Sequence, residues 1–175
     1  MEETSAWLND NAVQLAAEGL HEEAIASLRK GLLSDSHNPV LWFNLALSCR
    51  AIGRLPEARE ALLHAAEENP LDVDTLDTLG VVLHETGEDS AAEECYQNAL
   101  ELSPGNGRVW NNYGVLQFSQ SRFEEAAQSF EKAVTLIPDF DDALYNLRDT
   151  YDELGRSEDM NTCARILEQR GFIPD

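Results

Sequence analysis

The stretch RVWNNYGVLQFSQSRFEEAAQSFEKAVTLIP, residues 108–138, holds two helical faces separated by a break. In its first half Trp110, Tyr113, Gly114 and Gln117 stand at i, i+3, i+4 and i+7, the spacing of one side of an α-helix. In its second half Ala126, Phe130, Ala133 and Val134 follow the same logic. Pro138 disfavours helical backbone at Ile137 and so stops the second segment. The stretch predicts two amphipathic helices joined by a tight turn.

The same unit recurs on both sides without insertion or loss. Ala24, Ala58, Ala92 and Ala126 fall 34 residues apart, with Met160 in the fifth place. Gly19, Gly53, Gly87, Ser121 and Gly155 hold the fifteenth place of each unit, where glycine can adopt positive φ and end the first helix. Pro70, Pro104 and Pro138 close the second, third and fourth units, and Pro56 suits the first turn of a helix. The predicted units are 5–38, 39–72, 73–106, 107–140 and 141–174, taken as a single domain over 1–175. Small residues at Ala46, Gly80 and Gly114 are expected to let each first helix approach its neighbour, with Ala58, Ala92 and Ala126 forming the matching hollow.

Placed in that frame, Trp110, Tyr113-Gly114, Ala126, Phe130, Ala133 and Pro138 resemble the pattern of the tetratricopeptide repeat (TPR) family. The resemblance covers almost the whole chain and implies an all-α fold, a solenoid of tandem helix-turn-helix hairpins in a right-handed superhelix. Departures sit at the ends, with Asn11 in the first unit and Arg148, Met160 and Ala164 in the fifth, as expected of terminal repeats.

The composition narrows the partners. With 33 acidic and 12 basic residues the formal charge is −21, which opposes nucleic acid and anionic lipid. No apolar run approaches a membrane span, and Met1-Glu2-Glu3 begins no secretory leader, so a cytoplasmic protein is expected. Cys49, Cys95 and Cys163 lie far apart and read as small buried hydrophobes. His21, His37, His64 and His84 lack metal-ligand spacing, and Ser103-Pro-Gly-Asn-Gly107 follows a helix where a phosphate loop needs a strand. No enzyme, cofactor or metal is expected.

The family resemblance implies that the first helices line a concave groove that binds protein or peptide. Removing the packing positions leaves Phe43, Leu47, Asp74, Asp77, Val81, His84, Arg108, Asn111, Val115, Phe118, Asp142, Tyr145 and Asp149 as groove candidates. A carboxylate clamp of the kind used by chaperone adaptors is excluded, because only Asn44, Arg108 or Asn112 fits in any one register. Asn44, Asn112 and Asn146 instead occupy equivalent places, as in the asparagine ladders that hold a peptide backbone. The third unit carries −8 with no Lys or Arg, so a basic, extended partner with an apolar anchor near Phe43, Val81, Phe118 and Tyr145 is expected.

The leading reading is therefore an interaction adaptor or scaffold. The alternatives are a chaperone for secreted proteins, similar to type III secretion chaperones, or a structural spacer in an assembly. Trp7 is a candidate for an exposed contact or for end packing. The open face of the last hairpin is expected to pair either with a second copy of the chain, giving a homodimer through the end repeats, or with another protein.

Overall fold

The computed structural model describes residues 4–171, which contain ten α-helices and no strand. They are α1 (Ser5–Ala17), α2 (His21–Ser34), α3 (Pro39–Ala51), α4 (Leu55–Glu68), α5 (Val73–Glu85), α6 (Asp89–Leu102), α7 (Gly107–Ser119), α8 (Phe123–Leu136), α9 (Asp141–Glu153) and α10 (Ser157–Arg170). Odd-numbered helices are the first halves of the five sequence units, and even-numbered helices the second halves. Phe172, Ile173 and Pro174, which close the fifth sequence unit, lie outside the described residues.

Local chemistry accounts for the ends of these helices. Thr4, Asn38, Asp72 and Asn106 each accept a backbone N–H of the first turn, at 3.2, 3.0, 3.0 and 3.1 Å, and so cap α1, α3, α5 and α7. The helices α4, α6 and α8 stop at Glu68, Leu102 and Leu136, two residues before Pro70, Pro104 and Pro138. Within four of the five hairpins the turn is a glycine at positive φ, from 68° at Gly155 to 81° at Gly87.

Ser121 occupies the same turn in the fourth hairpin at φ 59°, the one non-glycine of positive φ among the described residues. The hydrogen bonds are those of its glycine counterparts. Arg122 N–H reaches Gln117 O at 2.9 Å, as Arg54 N–H reaches Cys49 O at 2.9 Å. A side chain in this conformation costs about 1–2 kcal/mol, part of which glycine gives back through the entropy of the unfolded chain. Ser121→Gly is thus expected to raise stability by about 0.5–1 kcal/mol, and Gly53→Ala to lower it by about 1 kcal/mol. Urea midpoints would show this, and an unchanged or lower midpoint for Ser121→Gly would contradict the strain argument.

By its internal contacts the chain divides into two compact units, one running to Cys95 and one from Tyr96, with the boundary inside α6. In the first, α2 packs on α1 and α3, α4 packs on α3 and α5, and α1 touches α3. Its interior is built from Leu28, Leu41, Ala46, Cys49, Ala58, Leu62 and Val82, all essentially inaccessible. In the second, α8 packs on α7 and α9, α10 packs on α9, and α7 touches α9. Phe130, Leu144, Leu147, Tyr151, Cys163 and Leu167 form one buried cluster there, with Phe118, Tyr145 and Met160 packed against it.

The alanines expected to form the hollows, Ala58, Ala92 and Ala126, are fully buried. At Gly114 the close approach is direct. A Cβ added there would lie 2.7–2.9 Å from three ring atoms of Phe130. Trp42 and Trp110 are half-buried and tie the start of their helices to the preceding loop, their indole N–H groups donating to Ser36 O at 2.8 Å and Pro104 O at 2.9 Å. Trp7 is 47% exposed, on the open side of α1. Cys49 and Cys163 are buried, while Cys95 is half-buried and burial pushes its thiol up to about 11.

Candidate functional site

The faces of interest are those of the first helices, taken one unit at a time. In the first unit Val13, Val40 and Leu47 stand exposed on α1 and α3, with Phe43 half-buried between them. Asn44 on α3 donates through Nδ2 to Asn9 Oδ1 on α1 at 2.7 Å. Arg50 on α3 grips Glu85 on α5 with two nitrogens, at 3.1 and 2.5 Å. Both bonds join residues 35 apart, so neighbouring first helices meet in a register one residue longer than the repeat.

That register corrects part of the expected surface. At the fifth place of their units, Asn9 and Asn111 turn toward the adjoining first helix rather than to open solvent. Asp77 is only 3% exposed and Asn111 only 8%, so neither presents its polar group on an open groove. In the second unit Asn111 on α7 accepts Asn146 Nδ2 of α9 at 3.0 Å, and its own Nδ2 reaches Asn112 Oδ1 at 3.4 Å. The asparagines expected to form a free ladder are instead held by the amides one place earlier in the repeat, Asn44 by Asn9 and both Asn112 and Asn146 by Asn111, with Asn146 keeping its side-chain carbonyl oxygen for another donor. An amide at the sixth place facing an amide 35 residues earlier was the available sequence signal.

The acidity of the third sequence unit is also redistributed by packing. Glu85 pairs with Arg50, Glu88 with Arg59 at 2.7 Å, and Asp89 with the His84 ring at 2.8 Å. Arg50 and Arg59 of the second sequence unit thus pair with two of the eight acids of the third. Asp74 and Val81 remain at the surface of α5, Asp74 exposed and Val81 half-buried. On α7 and α9, Arg108 and Asp142 are exposed.

Several of the remaining candidates converge in the second unit. Val115 and Phe118 of α7, Asn146 and Asp149 of α9, and Phe130 of α8 line a cleft of about 90 Å³. Phe130 was assigned to packing by its sequence position, yet its ring passes the bare backbone of Gly114 and also forms the cleft floor. Phe118 is fixed edge-on to Phe123, with ring centres 5.2 Å apart. Arg148 stacks over Tyr145 at 4.1 Å and donates twice to Asp149 Oδ1, at 3.0 and 2.6 Å. Desolvation lowers the Arg148 guanidinium, but the hydrogen bonds and charges of Asp149 and Tyr145 together outweigh it and raise the group above its ordinary value.

A separate depression of about 390 Å³ lies in the first unit between α2 and α4, floored by Trp42, Leu45 and Leu32 of α3 and α2. The Arg29–Glu57 pair spans its rim, and Leu33 beside it is 88% exposed. The groove argument from first-helix positions had no means of finding it, because it lies on the side of the second helices. Among the described residues no three of His, Cys, Asp and Glu are grouped as metal ligands. No described helix is long and apolar enough to cross a membrane.

Two family profiles described as tetratricopeptide repeat match residues 15–80 and 79–149, together well over half of the chain. The chain belongs to the tetratricopeptide repeat family. Among curated TPR relatives, the peroxisomal targeting signal receptor of Candida glabrata is 34% identical over 79 residues, 45% of this chain and 13% of that protein. The type IV pilus assembly protein PilF of Pseudomonas aeruginosa is 34% identical over 108 residues, 61% of this chain and 43% of that protein. The chain thus spans less than half the length of these relatives. A crystal structure of MamA superposes with a TM-score of 0.83 at 23% identity, covering 98% of this chain and 94% of that one. The likeness establishes the shared all-α TPR solenoid fold.

Proposed function

We propose that this TPR chain is a non-catalytic interaction module that receives a segment of another protein on the exposed faces of its first helices, without a carboxylate clamp. The observation that carries the reading is the cleft between α7 and α9, where Val115, Phe118 and Phe130 supply apolar walls and Asn146 and Asp149 supply polar acceptors. A mostly apolar recess with a few convergent polar groups is the usual form of a recognition site. Relatives named as receptors for a targeting signal are in keeping with binding a short protein segment.

The test uses peptides enriched from a random display library on the intact chain. Val115 is 37% exposed, so Val115→Arg places a bulky guanidinium at the cleft mouth without entering the core. Binding is expected to fall by at least about tenfold, or 1.4 kcal/mol, in fluorescence anisotropy. Leu33→Glu, on the side of the second helices, is expected to leave it unchanged. Equal binding by Val115→Arg and wild type would overturn the assignment of the site, as would a library that enriches no peptide. Loss on Leu33→Glu alone would move recognition to the α2–α4 depression and favour the spacer reading.

A further inference from the structure

The ninth residue of each sequence unit is Val13, Leu47, Val81, Val115 and Asp149, four aliphatic side chains and then a carboxylate. That carboxylate stands in the wall of the cleft otherwise bounded by Val115, Phe118 and Phe130. From these facts, and resting on the site proposed above, we infer that the α7–α9 cleft is a lysine pocket, seating one lysine side chain of the bound segment.

The state of Asp149 carries the argument. Both hydrogen bonds that Arg148 gives to Asp149 go to Oδ1, from Nε at 3.0 Å and Nη2 at 2.6 Å, and among the described residues no hydrogen bond reaches Oδ2. The Asn146 side-chain amide donates to Asn111 at 3.0 Å, and its carbonyl oxygen is left as a second acceptor on the same wall. An entering aliphatic or aromatic side chain would strip water from these acceptors without replacing it, which costs free energy. A cation restores the lost interactions.

The choice between cations follows from geometry. Arginine recognises a carboxylate best as a flat fork across both oxygens, and here one oxygen is already held by Arg148. An ammonium is a compact charge with three donors, suited to Oδ2 and the Asn146 carbonyl together. Its four-carbon stem can lie along Val115 while the rings of Phe118 and Phe130 favour a nearby positive charge. A cleft of about 90 Å³ takes a slender chain more readily than a planar guanidinium. Exposed Asp142 and Asp152 on the same helix keep the approach acidic despite Arg148.

The experiment is a double-mutant cycle on the intact chain with a library-selected peptide. The peptide's lysine is exchanged for norleucine, which keeps the stem and removes the charge, and for arginine and acetyl-lysine. The protein is wild type or Asp149→Asn, whose folding is checked by its thermal midpoint. Against wild type, norleucine and acetyl-lysine are expected to weaken binding about tenfold and arginine by less. Against Asp149→Asn, the lysine and norleucine peptides are expected to bind within about twofold of each other, and added salt to weaken only the lysine peptide on wild type. Selected peptides without a preferred lysine, or equal lysine-to-norleucine ratios for both proteins, would overturn the pocket. If Val115→Arg still abolishes binding in that case, the cleft remains the site and only its lysine chemistry fails. If Val115→Arg has no effect, the site itself is wrong.

Discussion

Phe130→Ala is expected to destabilise the protein by about 3–5 kcal/mol, the largest single-residue effect anticipated in the second unit. Its ring is 1% exposed and sits in the cluster that joins α8 to Leu144, Leu147 and Tyr151 of α9. Two terms add. The ring's apolar transfer energy is lost, and a cavity remains because rigid helices on both sides cannot collapse into it. The loss would be read as a lower midpoint in urea unfolding. A decrease under about 1 kcal/mol would show that the cluster can repack around alanine, contrary to the close-packed interior described.

Gly114→Val is expected to cost about 2–3 kcal/mol, although valine is the better helix former by a few tenths. Three atoms of the Phe130 ring lie 2.7–2.9 Å from where the new Cβ must sit, and the ring is buried on its other side. Helix propensity favours the substitution and packing opposes it, and the packing term is several times larger. A second substitution tests the cause. If the clash is the source, Gly114→Val and Phe130→Leu should be strongly non-additive, the pair recovering a large part of the loss seen for Gly114→Val alone. Strict additivity of the two changes would assign the cost to something other than this contact. The double variant also alters the cleft floor, so recovered stability without recovered peptide binding is the expected combined outcome.

How far the sequence could be read is plainest at particular residues. The break at Ser121 was placed by counting from its glycine counterparts, and the backbone there adopts the same positive φ. The prolines marked where α4, α6 and α8 end. Helical position singles out Val115, Phe118 and Asp149, the asparagine ladder singles out Asn146, and the four line one cleft. By contrast, Asp77 and Asn111 were chosen by the same rule and are buried. Phe130, counted as packing, supplies the cleft floor. The pairing of Glu85 and Glu88 with Arg50 and Arg59 cancels charge that looked concentrated in one sequence unit.

The division has a physical cause. Helix formation, turn chemistry and the packing of a hairpin on itself depend on residues close in sequence, so a 34-residue period with alanine, glycine and proline in set places is enough to determine them. Those features, and with them membership of the tetratricopeptide repeat family, belong to the sequence alone. The contacts between neighbouring first helices run at a separation of 35, a registry that depends on how one hairpin lies against the next. Only tertiary structure decided which amides face each other, which carboxylates meet an arginine, and that Asp149 lines a cleft with Val115, Phe118 and Phe130.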